Sequence, residues 1–238
     1  MSYLYHTFFF DPLYNLLIVL FKVLPWADAG IIVVLLTVLV RLVLYPLSKK
    51  AVVTQVKMTE ITHKLEELKD KYKDKPELQA QKTLELYREN GINPFSGILM
   101  VIIQIPLIIA LYQIFLHLTE INATYLYSFI TPPEVIKTAF LGLIDVSGKS
   151  IFFAFLAGLS SYFQLHISAR GQSAPKGNSF GDNLTRNMQS QLKYVFPVIM
   201  FFISYQVSGV IGLYFLTTNI FSTVQEIFVR KHSLAKSS

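Results

Sequence analysis

Few side chains in this sequence have types and spacing that could do chemistry, and Arg41 is the one whose position most needs explaining. It stands alone inside an apolar run that extends from Gly30 to Leu47. A guanidinium is charged at any physiological pH and offers a fixed fork of donors, so the chemistry it brings is electrostatic: attraction of carboxylates and hydration of a site that would otherwise be dry. A charged side chain at mid-bilayer costs from about 2.5–3.5 kcal/mol on insertion scales to more than about 10 kcal/mol in simulations, so it snorkels, pairs, or faces a wet cavity. The nearest acids in sequence, Asp28 and Glu60, both lie outside the run. This favours a water-accessible pocket inside a helix bundle, with Arg41 at its polar centre, over a structural ion pair.

Other chemistries are poorly supplied. The absence of cysteine excludes disulfides, thiolate metal sites and catalytic thiols. The five histidines, His6, His63, His117, His166 and His232, show no pair at metal-ligand spacing on a helix face, so no metal is expected. There is no phosphate-binding glycine loop and no Gly-x-Ser-x-Gly motif, and Asn122-Ala123-Thr124 is a pattern that chance supplies readily. The expectation is a protein that is not an enzyme and needs no cofactor. The remaining polar signals are amides and hydroxyls on apolar stretches. Gln104 interrupts one of them; Ser160, Ser161 and Gln164 form a stripe on another; Thr217, Thr218, Asn219, Ser222 and Thr223 sit in the last. Such residues on a membrane helix face protein or water rather than lipid.

The elements that must position these groups follow from hydropathy. At 53% hydrophobic residues and a mean hydropathy of +0.47 the chain is too apolar for an ordinary soluble domain. It reads as an all-α polytopic membrane protein, one core domain over 1–238. Residues 1–28 show no basic leader or small-residue cleavage site, and carry an apolar stripe broken by Asp11, Asn15 and Lys22, with Pro12 near the start and Pro25-Trp26 closing it. That pattern predicts an extracytoplasmic helix lying in the interface, with a short span as the alternative. Five spans are expected at about 30–47, 95–118, 151–167, 194–207 and 210–229. Residues 50–92 change character. Ten basic and eight acidic residues fall between Lys49 and Glu89, while Ile61, Leu65, Leu68 and Tyr72 keep an apolar seam. This predicts a solvated helical hairpin of coiled-coil type, turning at Lys73-Asp74-Lys75-Pro76. Asn93-Pro94 is expected to cap the second span. Residues 120–149 read as a mixed loop, and 169–191 as a mobile Gly/Ser-rich loop. Seventeen lysines and arginines fall in the hairpin, the 169–193 segment and the tail, against three in the other loops, so the former are expected to be cytoplasmic and the N-terminus outside.

Three motifs then carry a family likeness: Thr37-x3-Arg41-x4-Pro46-Leu47; Asn93-Pro94-x2-Gly97-x6-Gln104-x-Pro106-x3-Ala110-Leu111-Tyr112; and Phe196-Pro197 followed by Gly212-Leu213-Tyr214-x4-Asn219-x5-Gln225. In this order, around a charged hairpin, the chain resembles the YidC/Oxa/Alb family of membrane protein insertases, nearest to the bacterial YidC type. The resemblance implies five helices around a hydrophilic groove that opens to the cytoplasm and to lipid. It places Arg41 at the groove charge, with Gln164 and the Phe215 to Asn219 segment, Thr218 included, on the lining; many relatives have tryptophan where this chain has Phe215. It also implies a bacterial plasma (inner) membrane location. The large extracytoplasmic domain and the lipidated cysteine of some relatives have no counterpart here, so a compact form is expected.

The partners implied are nascent membrane protein segments and the lipid bilayer, with the ribosome and the secretion translocon as further candidates and no nucleic-acid sequence recognition. In such a groove, water and the side chains of Arg41, Gln104, Gln164 and Asn219 would replace the hydration of a substrate's polar tail. No nucleotide is required. A small channel or transporter is the alternative, but the sequence has no internal repeat and no ring of charges.

Overall fold

The computed structural model describes residues 3–93, 95–118, 120–169 and 180–237, and the fold is predominantly helical. The N-terminal stretch passes through α1 (Tyr3–Tyr5), a π-helical turn (His6–Phe10) and α2 (Asp11–Val23), with Pro12 in the first turn of α2, where its missing N–H is harmless. After Pro25-Trp26, Asp28 caps α3 (Ala29–Val43), its carboxylate accepting the N–H groups of Ile31 at 3.0 Å and of Leu141 at 2.9 Å. One side chain thus starts a helix and ties down the 120–149 loop.

At Leu44 the chain bends by 62° into α4 (Tyr45–Glu60). The bend has a local cause. Pro46, in the first turn of α4, cannot donate to the hydrogen-bond ladder of α3, so α3 ends and a new axis begins. The helix that carries Lys49 and Lys50 thus starts at Tyr45, within the range expected for a span, and packs across α7 and α10. The hairpin proper is α5 (Thr62–Lys71) and α6 (Pro76–Glu89), turning over residues 72–75, and its two ends meet where Lys57 Nζ donates to the Asn90 carbonyl at 3.2 Å.

α7 (Ser96–Leu116) starts two residues after the expected cap. Asn93 does accept the Phe95 N–H at 3.0 Å, whereas Pro94 lies outside the described residues. In the following loop β1 (Ala139–Phe140) and β2 (Ile144–Asp145) pair antiparallel, Ala139 opposite Asp145. α8 (Ile151–Ser168), capped by Ser150, α9 (Phe180–Val207) and α10 (Gly209–Ser237) complete the chain. The loop expected over 169–191 is contradicted from Phe180 onward, where α9 is already helical; its 170–179 part lies outside the described residues. The stretch from Phe180 to Gln191 is polar, which argued for a loop but equally suits a helix that has emerged from the apolar layer.

Ile32, Val33 and Leu36 of α3, Ala110, Leu111 and Ile114 of α7, Phe153 of α8 and Val210 of α10 are buried in one cluster. The outward faces are apolar too: Ile102, Ile105 and Ile109, Phe152 and Phe155, Val198 and Phe202, Ile220, Val224 and Ile227 are all exposed. Apolar side chains on both sides of a helical wall are what hydrocarbon as solvent allows, and the chain is a membrane-embedded protein. Among the described residues, by length and apolarity, Tyr3–Val23 and Ile151–Ser168 are long enough to cross, the bent α3–α4 pair is a third if counted as one span, and the stretches Ile102–Leu116 of α7 and Lys193–Val207 of α9 are apolar. The expected span at 210–229 is absent from that set because Thr217, Thr218, Asn219, Gln225 and Glu226 dilute its hydropathy.

Candidate functional site

Arg41, half-buried near the end of α3, opens onto a cavity of about 410 Å³. α4 contributes Ser48, Thr54 and Gln55 to its wall; α8 contributes Gln164 and Ser168; α10 contributes Ser222, Gln225 and Glu226; Met58 and Met100 add apolar patches. Three elements therefore place polar groups around one guanidinium. The bend at Pro46 makes this possible, because α4 turns across the mouth of the bundle instead of continuing past it.

The polar groups are also joints between helices. Gln225 donates to Ser48 Oγ at 2.6 Å, tying α10 to α4, and Gln55 donates to the Ser168 carbonyl at 3.1 Å, tying α4 to α8. Glu226, only 4% exposed, is held twice. Arg230 donates to Glu226 Oε1 from Nε at 2.9 Å and from a terminal nitrogen at 2.8 Å, and the Ser168 hydroxyl donates to the other carboxylate oxygen. Arg41 by contrast makes no ion pair or hydrogen bond among the described residues; it lies within electrostatic range of Tyr214, whose hydroxyl accepts the Gln104 amide at 3.4 Å. With Glu226 occupied, the cavity presents an uncompensated positive charge.

Of the six residues expected to line a groove, Arg41 and Gln164 meet in this cavity. Gln104 stands one residue removed, bonded to Tyr214. Asn219 is buried between α8 and α10, its amide donating to Ser160 at 3.0 Å and to Ser161 at 2.8 Å. Thr218 is buried beside it. Phe215 lines a separate, apolar cavity of about 140 Å³ with Ile108, Tyr112, Ile203 and Tyr214. Sequence reasoning did not single out Ser48, Gln55, Ser168, Glu226 or Arg230. Glu226 and Arg230 had a readable signal, an acid and a base four residues apart at the end of an apolar helix; the other three depend on the bend and carry no local signature.

A larger cavity, about 730 Å³, lies at the other end of α7, lined by His6, Phe10, Tyr14, Gln113, His117 and Tyr125 among others. Met100 and Gln113 are thirteen residues apart, so the two cavities are separated by roughly 20 Å along the helix. Here the N-terminal stretch is bound to the 120–131 loop: Asn15 donates to the Tyr125 carbonyl and accepts the Tyr127 N–H, both at 2.8 Å, and Lys22 donates to Thr131 at 2.8 Å.

The helical, membrane-embedded chain thus places Arg41, with no ion-pair partner among the described residues, over a polar cavity next to a helical pair of mixed charge. A family profile described as 60Kd inner membrane protein matches residues 19–236, and the chain belongs to that family. It is 30% identical over 235 residues to the membrane protein insertase YidC of Wolinella succinogenes, covering 99% of this chain and 39% of that one. It is also 31% identical to the insertase of Clostridium perfringens, covering 84% and 77%, and 27% identical to that of Clostridium tetani, covering 87% and 84%. The chain thus spans a minority of the first relative's length and most of the clostridial ones.

Proposed function

We propose that the protein is a membrane protein insertase of a bacterial plasma membrane, which receives hydrophobic segments from the cytoplasm and passes them into lipid through the cavity at Arg41. The observation that carries the reading is the unpaired guanidinium in a cavity whose one carboxylate among the described lining residues, Glu226, is already neutralised. A nascent segment with a polar tail must move that tail into hydrocarbon, where each unpaired polar group costs several kcal/mol. A polar cavity set part-way into the bilayer shortens that path. Arg41 attracts acidic side chains of the tail with roughly 1–4 kcal/mol at 4 Å, depending on the effective dielectric. Gln164, Gln55 and Gln225 supply amide partners that replace water, with Gln104 and Asn219 holding the helices around them. The apolar segment then leaves along the exposed aliphatic faces, and partitioning drives the step without nucleotide or covalent chemistry.

In this reading α3, α7, α8, α9 and α10 are the five spans, and α10 crosses because its polar face is turned inward to the cavity. The N-terminal stretch lies in the outer interface: Tyr5 bonds Gln113 near the far end of α7, while Lys22 bonds Thr131 in the loop, so both ends of the stretch stay at the level of that loop. The lysine and arginine distribution puts the α5–α6 hairpin in the cytoplasm, where its mixed charges suit reception of substrates and of the ribosome or translocon. Reconstitution of the purified protein alone into liposomes, scored for insertion of a single-span substrate, tests the proposal; insertion no better than in protein-free liposomes would reject it.

A further inference from the structure

Glu226 poses a problem for a site that works through positive charge. Its carboxylate lines the same cavity as Arg41 and is almost fully buried, and left unneutralised it would set a negative charge in that cavity against the guanidinium. Such a charge would oppose the field that attracts an acidic tail. What prevents this is visible. Arg230, four residues on and therefore on the same face of α10, holds one carboxylate oxygen with two nitrogens at 2.8 and 2.9 Å, and Ser168 of α8 donates to the other. Arg230 is itself fixed, since it also donates to the Ser168 carbonyl at 3.0 Å, and its side chain is only 16% exposed. Among the described residues, the cavity wall carries Arg41 and Glu226 but not Arg230.

We infer that Arg230 is a positioning residue that sets substrate charge selectivity: by neutralising Glu226 it keeps the cavity of Arg41 net positive. The inference rests on the insertase reading given above and adds to it a specific prediction about tail charge. Loss of Arg230 leaves the Glu226 charge uncompensated in the cavity of Arg41. The attraction for acidic tails then falls, while neutral tails, which never used it, are inserted as before. Removing the Glu226 carboxylate in the same chain removes that opposing charge, and the preference returns.

The test is the ratio of acidic-tail to neutral-tail insertion of one single-span substrate by the reconstituted full chain, at matched protein amounts. Arg230→Ala should lower that ratio at least about fivefold, the factor that corresponds to the weak limit of the Arg41 attraction. Arg230→Gln, which keeps a hydrogen bond to Glu226 but not the charge, should lower it too, and Arg230→Ala with Glu226→Gln should restore it to within about twofold of the original chain. An unchanged ratio in Arg230→Ala or Arg230→Gln overturns the inference, as does a lowered ratio that the double variant fails to restore. If neither single variant accumulates, the pair is a folding requirement and the selectivity role is overturned. Failure of the underlying reading looks different: the original chain itself would show no difference between acidic and neutral tails, or no insertion.

Discussion

Gly212 packs against α8 so closely that an added methyl group tests the helix contact on which the cavity depends. A Cβ at this position would stand 2.8 Å from the backbone carbonyl carbon and oxygen of Phe153 and 2.9 Å from its Cβ. Ordinary contact lies beyond about 3.4 Å, so α8 and α10 would have to separate by some 0.6 Å, and the obstructing atoms are backbone that cannot rotate away. Overpacking of this kind costs about 1–3 kcal/mol, against a gain of about 1 kcal/mol for alanine over glycine in a helix. Gly212→Ala is therefore expected to destabilise by up to about 2 kcal/mol and Gly212→Val by more, since its branched Cβ adds atoms at the same place. Gly148 is the control, because nothing lies within 4 Å of a Cβ there; Gly148→Ala should stay within about 0.5 kcal/mol of the original. Thermal unfolding in detergent reads all three. A Gly212→Val protein as stable as the original, or a Gly148→Ala protein destabilised as much as Gly212→Val, would refute the claim that the α8–α10 approach requires glycine.

Asn219→Leu should cost about 1–2 kcal/mol in the same assay, since interhelical hydrogen bonds in membrane proteins average about 0.6 kcal/mol each and the amide supplies two, to Ser160 and Ser161. Replacing residues 62–89 by a short Gly/Ser join, which the Lys57 to Asn90 contact makes geometrically simple, should leave accumulation and unfolding temperature near normal while reducing insertion; failure to accumulate would make the hairpin part of the fold. Single cysteines at Lys75 and Thr131 should respectively resist and accept an impermeant thiol reagent in intact cells, and the reverse would invert the topology. Asp145 accepts the Ser147 N–H at 2.9 Å and its hydroxyl at 2.7 Å, which holds its carboxyl below the usual carboxylate range. The turn is therefore fully stabilised above the ordinary carboxylate pKa and loosens as pH falls through the lower folded value. Hydrogen exchange at the Ser147 amide, corrected for intrinsic rate, should speed up over that acid range, and Asp145→Asn should abolish the dependence.

How much was legible in the sequence depended on whether the cause was local. Arg41 was visible because a charge in an apolar run is costly wherever the chain goes, and the helices of the hairpin were visible because period, ion pairs and a proline at a first turn are local signals. The bend at Leu44 was not foreseen: the expected span ran through Pro46 to Leu47, although a proline is a local signal that the helix ladder breaks, and nothing local sets the 62° angle. The cavity wall was mostly invisible, since Ser48, Gln55 and Ser168 meet Arg41 only through that direction. Asn219 and Gln104 looked like lining residues because an amide on an apolar helix signals a polar surrounding, but it does not distinguish water from another helix; Ser160, Ser161 and Tyr214 turned out to be the partners. The polar Phe180 to Gln191 stretch read as loop because composition without period is ambiguous between loop and emergent helix.

The most direct test of the account is insertion by Arg41 variants, because a structural and a functional arginine give different outcomes. Removing one partner of a buried ion pair costs about 3–5 kcal/mol and lowers protein level. Arg41 has no such partner among the described residues, so Arg41→Ala is expected to accumulate normally. Insertion in liposomes should then fail most for a substrate with an acidic tail, Arg41→Lys should retain much of the activity, and Arg41→Glu should be worst through like-charge repulsion. Equal insertion of acidic and neutral tails by the original chain and by Arg41→Glu, at matched protein amounts, would contradict the account and remove Arg41 from the mechanism.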